Sequence, residues 1–329
     1  DAPKDLDEYT FNHFVQEYGR EYEPGSEEWA MREGIFNERL QEVRDWQAGP
    51  TRSWNKGVTR FMDYTQKEYE ALLGYKGRGS RWSPRGNGAI SLYRSRQEED
   101  LPPLPAFINV GSNRTLSSLI RDQGACGSCW AEAATSALEG AVENSPQLFA
   151  ALQKEAENIQ KLPTLSSQAM VSCTANPRHC GGKGGCEGAT AELGFSMVQQ
   201  RGLPLAVHWP YESGAGLTPQ CRDGVFRTMR LGISGYEVVP SNKLDALKRA
   251  LVKSAGPIVI SVDATNWAYY SSGIFSDTTN GKKGDFTVNH AVTLMGYKMP
   301  EGETTGYWDI KNSWGAYWGE KGHIRIEMK

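Results

Sequence analysis

Six cysteines constrain this chain more than any other feature. They are Cys126, Cys129, Cys173, Cys180, Cys186 and Cys221, confined to a 96-residue window, with none among the first 125 residues. Such clustering points to disulfides or a metal in one region, and through them to an oxidising compartment. It also divides the chain. Residues 1–100 carry 15 Lys+Arg and 19 Asp+Glu, a net of −4, whereas 101–329 carry 21 and 20, a net of +1. With 329 residues the chain can bury one large core or two modest ones, so no staple is needed merely to fold. An overall charge of −3 argues against a dedicated nucleic-acid binder. No apolar run reaches the length of a membrane-spanning helix. Ten tryptophans among 10% aromatic residues speak for packed structure. The opening DAPKDLDEYT has no signal-peptide character, which fits both a secreted chain whose leader is gone and a cytosolic one.

The first hundred residues read as helical. Tyr9, Phe11, Phe14 and Tyr18 form a short apolar stripe that EPGS at 23–26 interrupts. A longer pattern follows through Trp29, Ile35, Phe36, Leu40, Val43 and Trp46, with Ser26 placed as its N-cap. RSWNKGVTRFMDYT alternates as a short strand would, and 77–100, rich in Gly, Arg, Ser and acids, reads as an exposed linker. The prolines at 102, 103 and 105 begin something new. Residues 130–143 and 146–162 are helical in propensity and pattern. Later come strand-like runs at 258–262, 286–297, 307–314 and 323–328. A helix-rich part followed by a strand-rich part predicts an α+β protein with a cleft between two subdomains.

The chemistry concentrates in Gln123-Gly-Ala-Cys-Gly-Ser-Cys129-Trp130. Cys129 sits where a glycine-containing loop turns into a helix, and the positive end of a helix dipole favours a thiolate. A thiolate nucleophile needs a base or ion-pair partner and a third group to orient it. His290 in NHAVTLMGY and Asn312 in IKNSWG can fill those places, and Gln123 can donate to an oxyanion beside the Cys129 N–H.

The strings QGACGSCWA, VNHAVTLMGY and IKNSWGAYWGEKGHIRI resemble the three active-site signatures of the papain-like cysteine proteases, in the family's order. The resemblance implies a papain-like two-subdomain fold, a helical left half and an antiparallel, β-barrel-like right half with the cleft between. It implies Cys129 as nucleophile, His290 as ion-pair partner and general acid/base, Asn312 orienting the imidazole and Gln123 completing the oxyanion hole. Trp314 would shield the Asn–His hydrogen bond. Upstream, Glu28, Arg32, Ile35 and Phe36 match the helical signature of the family's inhibitory propeptide, while Arg39, Val43 and Gln47 stand where Asn, Ile and Asn are preferred. Gly57, Phe61 and Asp63 match the strand motif that follows, with Thr59 in place of Asn. Residues 1–100 thus look like a propeptide running backwards through the cleft, with an activation linker at about 77–100, and 101–329 like the peptidase domain. By the same resemblance Cys126 pairs with Cys186 and Cys173 with Cys221, which leaves Cys180 alone.

Aligned by motif, the substrate-side wall holds Gly188, Ala189, Thr190, Ser261, Val288 and Ala291, with Trp314 beyond. Ala189 replaces a glycine that bonds substrate backbone, and Thr190 a bulky or aromatic residue. The family usually continues past the IRI strand, whereas this chain stops at Lys329. An apolar or mixed preference is expected at the second residue before the scissile bond. No insertion carrying a His pair blocks the cleft, so an endopeptidase is expected rather than a dipeptide-removing exopeptidase. The alternative is a non-catalytic binding or structural protein on the same scaffold. Expected partners are protein or peptide substrates and the chain's own propeptide, with no cofactor, metal, nucleic acid or membrane span. The expected location is the secretory pathway, ending in a lysosome-like or vacuolar compartment or outside the cell.

Competing readings of these residues are weaker. Cys126-x-x-Cys129 lacks the βαβ setting of a redox pair, and Cys173, His179, Cys180 and Cys186 lack paired zinc spacing. GGKGG at 181–185 lacks the pattern of a phosphate loop. His13, His208 and His323 read as structural or surface residues. Glu132, where the family usually has Phe, is either a solvated face residue or a perturbation of nearby electrostatics. Asn113-Arg-Thr fits a glycosylation sequon.

Overall fold

The structure is a computed structural model, and it describes residues 5–76, 90–92, 102–112, 114–157, 162–277, 287–302 and 305–328. Helix α1 (Phe11–Glu17) starts at Thr10, whose hydroxyl accepts from His13 N while the His13 ring accepts from Thr10 N. Helix α2 (Glu27–Ala48) starts at Ser26, which accepts from Trp29 N, and two acids follow in its first turn. Its buried stripe of Arg32, Phe36, Leu40 and Val43 closes with Phe11, Phe14 and Met62 into a small separate core. The alternating stretch after it yields only a three-residue strand, β1 (Trp54–Lys56). The rest turns inward, burying Thr59, Phe61, Met62 and Asp63, before α3 (Gln66–Leu72). A longer strand is lost because these side chains point into two cores rather than alternating across one face.

Strand β2 (Ile90–Leu92) lies within the expected linker and pairs in parallel with β6 (Tyr236–Val238), so part of that stretch is tied down. Then follow β3 (Phe107–Asn109), α4 (Cys129–Glu143), α5 (Pro146–Glu157), α6 (Ser167–Cys173), α7 (Ala191–Arg201), β4 (Leu203–Pro204) and β5 (Arg230–Leu231). After β6 come α8 (Leu244–Ser254), β7 (Ile258–Val262), β8 (Tyr270–Phe275), β9 (His290–Lys298), β10 (Tyr307–Lys311) and β11 (His323–Glu327). The helix expected over 146–162 is seen to Glu157, and 158–161 lie outside the described residues.

The strand-rich half is an open seven-stranded sheet ordered β1-β8-β11-β10-β9-β3, with β7 also on β9. Its pairs are antiparallel except β11 with β8. Strand β1 extends the sheet's edge, pairing Trp54 with Gly273, so the N-terminal segment is built into the sheet. Two larger cores lie on either side of the cleft. One surrounds α4 with Trp130, Leu138, Met170 and Trp209, and the other backs the sheet with Trp267, Tyr270, Tyr297, Trp314 and Trp318. The cleft is the seam where α4 meets β9 and β7.

Candidate active site

Cys129 is the first residue of α4, an alanine-rich helix of 15 residues whose dipole points its positive end at the thiol. The loop before it is pinned. A disulfide joins Cys126 to Cys186, Gly127 N donates to the Cys186 carbonyl at 3.0 Å, and a Cβ at Gly127 would lie 2.5 Å from that oxygen. A second disulfide joins Cys173 to Cys221, and Cys180 is a buried free thiol. Cys173 and Cys186 are therefore not free for a metal.

The Cys129 sulfur accepts from Ala291 N at 3.4 Å. Burial pushes its pKa up to about 11, against the pull of the Ala291, Gly74, Trp130 and Cys129 backbone N–H groups. His290 opens β9, and its Nε2 is 2.8 Å from Asn312 Oδ1. Burial pushes this imidazole down to about 4, opposed by the Asn312 bond. Asn312 Oδ1 also accepts from Ser313 N at 2.8 Å, which fixes that end of the amide. The Trp314 ring covers the pair, 4.9 Å from the imidazole. Gln123 is oriented by Ser313, whose hydroxyl donates to Gln123 Oε1 at 2.7 Å. Its Nε2 donates once to the Cys126 carbonyl at 2.8 Å and has a second hydrogen to donate across the cleft. Cys129, Gln123, His290 and Asn312 are all buried within this one seam.

The cleft is filled by the chain's own residues 72–76. Gln123 Nε2 donates to the Leu72 carbonyl at 2.8 Å, Ala189 N to the Gly74 carbonyl at 3.1 Å, Tyr75 N to the Asn289 carbonyl and Lys76 N to the Gly181 carbonyl. Ala189 keeps this bond because only its backbone is used. A Cβ on Gly74 would sit 1.9 Å from the Gly127 carbonyl oxygen, and one on Gly188 (φ +94°) 2.5 Å from the Gly74 carbonyl oxygen. Backbone meets backbone here with no room for a side chain. Phe61 and Tyr69 pack edge-on against Trp314 at 5.1 and 5.7 Å. Tyr69 donates to the Ala264 carbonyl, Thr59 to the Ala268 carbonyl, and Arg60 pairs with Asp122, next to Gln123.

The remaining wall residues are spread. Ala291 is buried beside the sulfur, Thr190 precedes α7, Ser261 is exposed on β7 opposite Ala291, and Val288 is exposed before β9. Asn113 lies outside the described residues.

Glu132 is not a solvated face residue. It is 3% exposed and pairs with Arg121 at 3.4 Å, while Arg121 reaches Glu139 at 2.5 Å. Lys311, next to Asn312, donates to the Ser117 and Leu119 carbonyls, and burial lowers its pKa to about 8. Burial pushes both glutamates up, and Arg121 draws them down. This buried cluster lies behind the site; the sequence reading singles out Glu132 as a candidate electrostatic perturbation and misses Arg121, Glu139 and Lys311. Two acids seven residues apart on one alanine-rich helix were its only local trace.

Two family descriptions match the chain. "Papain family cysteine protease" covers residues 104–329 and "Cathepsin propeptide inhibitor domain (I29)" covers 11–69. Among curated relatives, Cysteine proteinase B of Leishmania mexicana is 32% identical over 97% of this chain, which spans 65% of that relative's length. Vignain of Ricinus communis is 30% identical over 82% of this chain and 67% of its own. Among solved structures, digestive procathepsin L 3 from Tenebrio molitor larval midgut is 27% identical, with a TM-score of 0.73 covering 97% of this chain and 92% of that one. A recombinant stem bromelain precursor is likewise 27% identical, with a TM-score of 0.74 over 97% and 91%. With an inhibitor-type segment folded over a thiol, an imidazole and an amide in one seam, this chain belongs to the papain family of cysteine proteases.

Proposed function

We propose that the chain is the zymogen of a cysteine endopeptidase, with residues 1–100 as inhibitory propeptide and 101–329 as peptidase domain. The observation that carries this is the meeting of Cys129, at a helix N-terminus, with His290–Asn312 and the Gln123 amide donor. In the covered cleft both thiol and imidazole are held neutral by burial. Removing residues 72–76 admits water, which favours the thiolate–imidazolium pair. The thiolate then attacks the substrate carbonyl carbon, and the oxyanion is held by Gln123 Nε2 and the Cys129 N–H. Each such donor contributes about 3 kcal/mol to the transition state. His290 passes its proton to the leaving amine as the C–N bond breaks, then takes one from the water that hydrolyses the thioester. Asn312 keeps the imidazole turned toward the sulfur.

Cleavage within 90–106 would release the propeptide. On this reading the wall of Gly188, Thr190 and Ala291 takes an apolar or mixed side chain at the second residue before the scissile bond. The disulfides and the inhibitor-type segment support a secretory route to a lysosome-like, vacuolar or extracellular destination.

A thiol-directed active-site probe tests the reading. After acid treatment it should label the wild-type chain and not Cys129→Ala. Gly74→Ala should label without acid, because its methyl cannot pass Gly127. A wild-type chain that stays unlabelled and without peptidase activity after complete propeptide removal would overturn it.

A further inference from the structure

The catalytic reading leaves the buried cluster behind the site unused. A small cavity of about 10 Å³ lies between α4 and β10, and Arg121, Glu132, Lys311, Asn312 and Thr293 are among its walls. That is room for about one water. Among the described residues, three polar atoms of this set are buried and without a geometric hydrogen-bond partner, Glu132 Oε1, Arg121 Nε and Asn312 Nδ2, with the Ser167 hydroxyl the one other donor beside the Glu132 carboxylate. Two are donors and one is an acceptor. A water can accept from both nitrogens and donate to the carboxylate, reaching the three bonds typical of buried water. A buried carboxylate oxygen and a buried amide NH₂ otherwise carry the full cost of lost hydration.

We propose that Glu132 is a positioning residue for Asn312, acting through one ordered water held in this cavity. Among the described residues Asn312 is held only at its oxygen, by His290 and Ser313 N. An amide held at one end can still swing about its Cβ–Cγ bond, and His290 swings with it. The water closes the other end and ties the amide to α4, the helix that carries Cys129. Glu132 sits on the first turn of that helix, three residues from the nucleophile. Nucleophile and orienting amide are thereby joined across the seam by a polar bridge as well as by backbone. The groups facing Glu132 are Arg121 from the preceding loop, Glu139 from its own helix, Lys311 from β10, Tyr211 and Ser167. His290 is faced by Asn312, Trp314 and Trp267, and its chain neighbour Ala291 donates to the Cys129 sulfur.

This inference rests on the catalytic reading, and the test separates them. The full chain is activated, and kcat, KM and the pH profile of kcat are compared for wild type, Glu132→Gln and Glu132→Asp. In Glu132→Gln kcat should fall about tenfold, the effect of losing one charge-assisted bond in the transition state. KM should stay, and the pH limb set by His290 should move. Glu132→Asp should recover most of the rate. In the unmutated full chain, NMR should find a long-lived water in contact with the Asn312 side-chain amide protons, an arm that needs no variant to fold. Wild-type kcat and pH profile in Glu132→Gln, or an Asn312 amide with no such water, overturn the inference alone. A wild-type chain without turnover overturns the catalytic reading and this inference with it.

Discussion

Two ionic clusters, one in the propeptide and one in the peptidase domain, are built from the same residue types and answer burial in opposite ways. In the propeptide, Arg32 holds Glu68 through both nitrogens at 2.6 Å and donates to the Asp63 carbonyl, while Arg20 and Tyr22 bond the Asp63 carboxylate. Glu68 is partly exposed, so the Arg32 bonds dominate and bring its pKa down to about 2. Behind the active site, Arg121 faces Glu132 and Glu139, which are almost wholly buried, and there desolvation dominates and lifts both carboxyls. Equal chemistry at unequal depth gives one cluster that acid weakens and another that acid relieves.

The harshest way to break this comparison is to remove each arginine. Arg121→Leu takes the paired guanidinium from two buried carboxylates and leaves them Lys311 alone, which costs ~3–5 kcal/mol. Calorimetry should show the peptidase domain melting about 10 °C lower, and an unchanged melt would mean that the cluster carries no stability. Arg32→Leu removes a pair that water can partly replace, so the expected loss is smaller, about 1–2 kcal/mol. It should fall on the propeptide alone, read as faster proteolysis within residues 11–76 while the peptidase melt stays in place.

The pH dependence is the subtlest test. Glu68 has a folded pKa below its unfolded one, so its stabilisation is complete above about pH 4.5 and is lost as the pH falls toward 2. Glu132 and Glu139, raised on folding, work with the reverse sign and gain on acidification. Glu68→Gln should therefore flatten the acid loss of the propeptide between pH 4.5 and 2, as followed by limited proteolysis. An unaltered acid profile would show that Arg32–Glu68 does not set it. At pH 4–5 Glu68 remains largely charged, so release in that range runs through other contacts.

What could be read in advance was local. Cys129, His290 and Asn312 each sit in a string that the family resemblance singles out, and Ser26 caps α2 where the acids of its first turn said it would. Gly74 gave no such signal, because its reason is the Gly127 carbonyl more than fifty residues away. Glu132 stood out as a departure from the family's Phe, but its burial could not be read, since its partner Arg121 lies in a loop and the cavity they share is lined by β10. β10 itself stops at Lys311 rather than running to Trp314, because Asn312 and Trp314 must leave the ladder to cover the imidazole. Strand β1 was legible as a strand, but its place on β8 is a contact across more than two hundred residues.

The aromatic wall has a spectroscopic consequence. Trp314 meets Trp267 and Trp318 edge-on, and its outer face is closed by Phe61 and Tyr69 from the propeptide. When the propeptide leaves, that indole face meets solvent while its two tryptophan neighbours stay buried. Intrinsic emission should shift to the red in step with release, so the chain carries a label-free optical gauge of its own unmasking, readable in the Cys129→Ala chain as well.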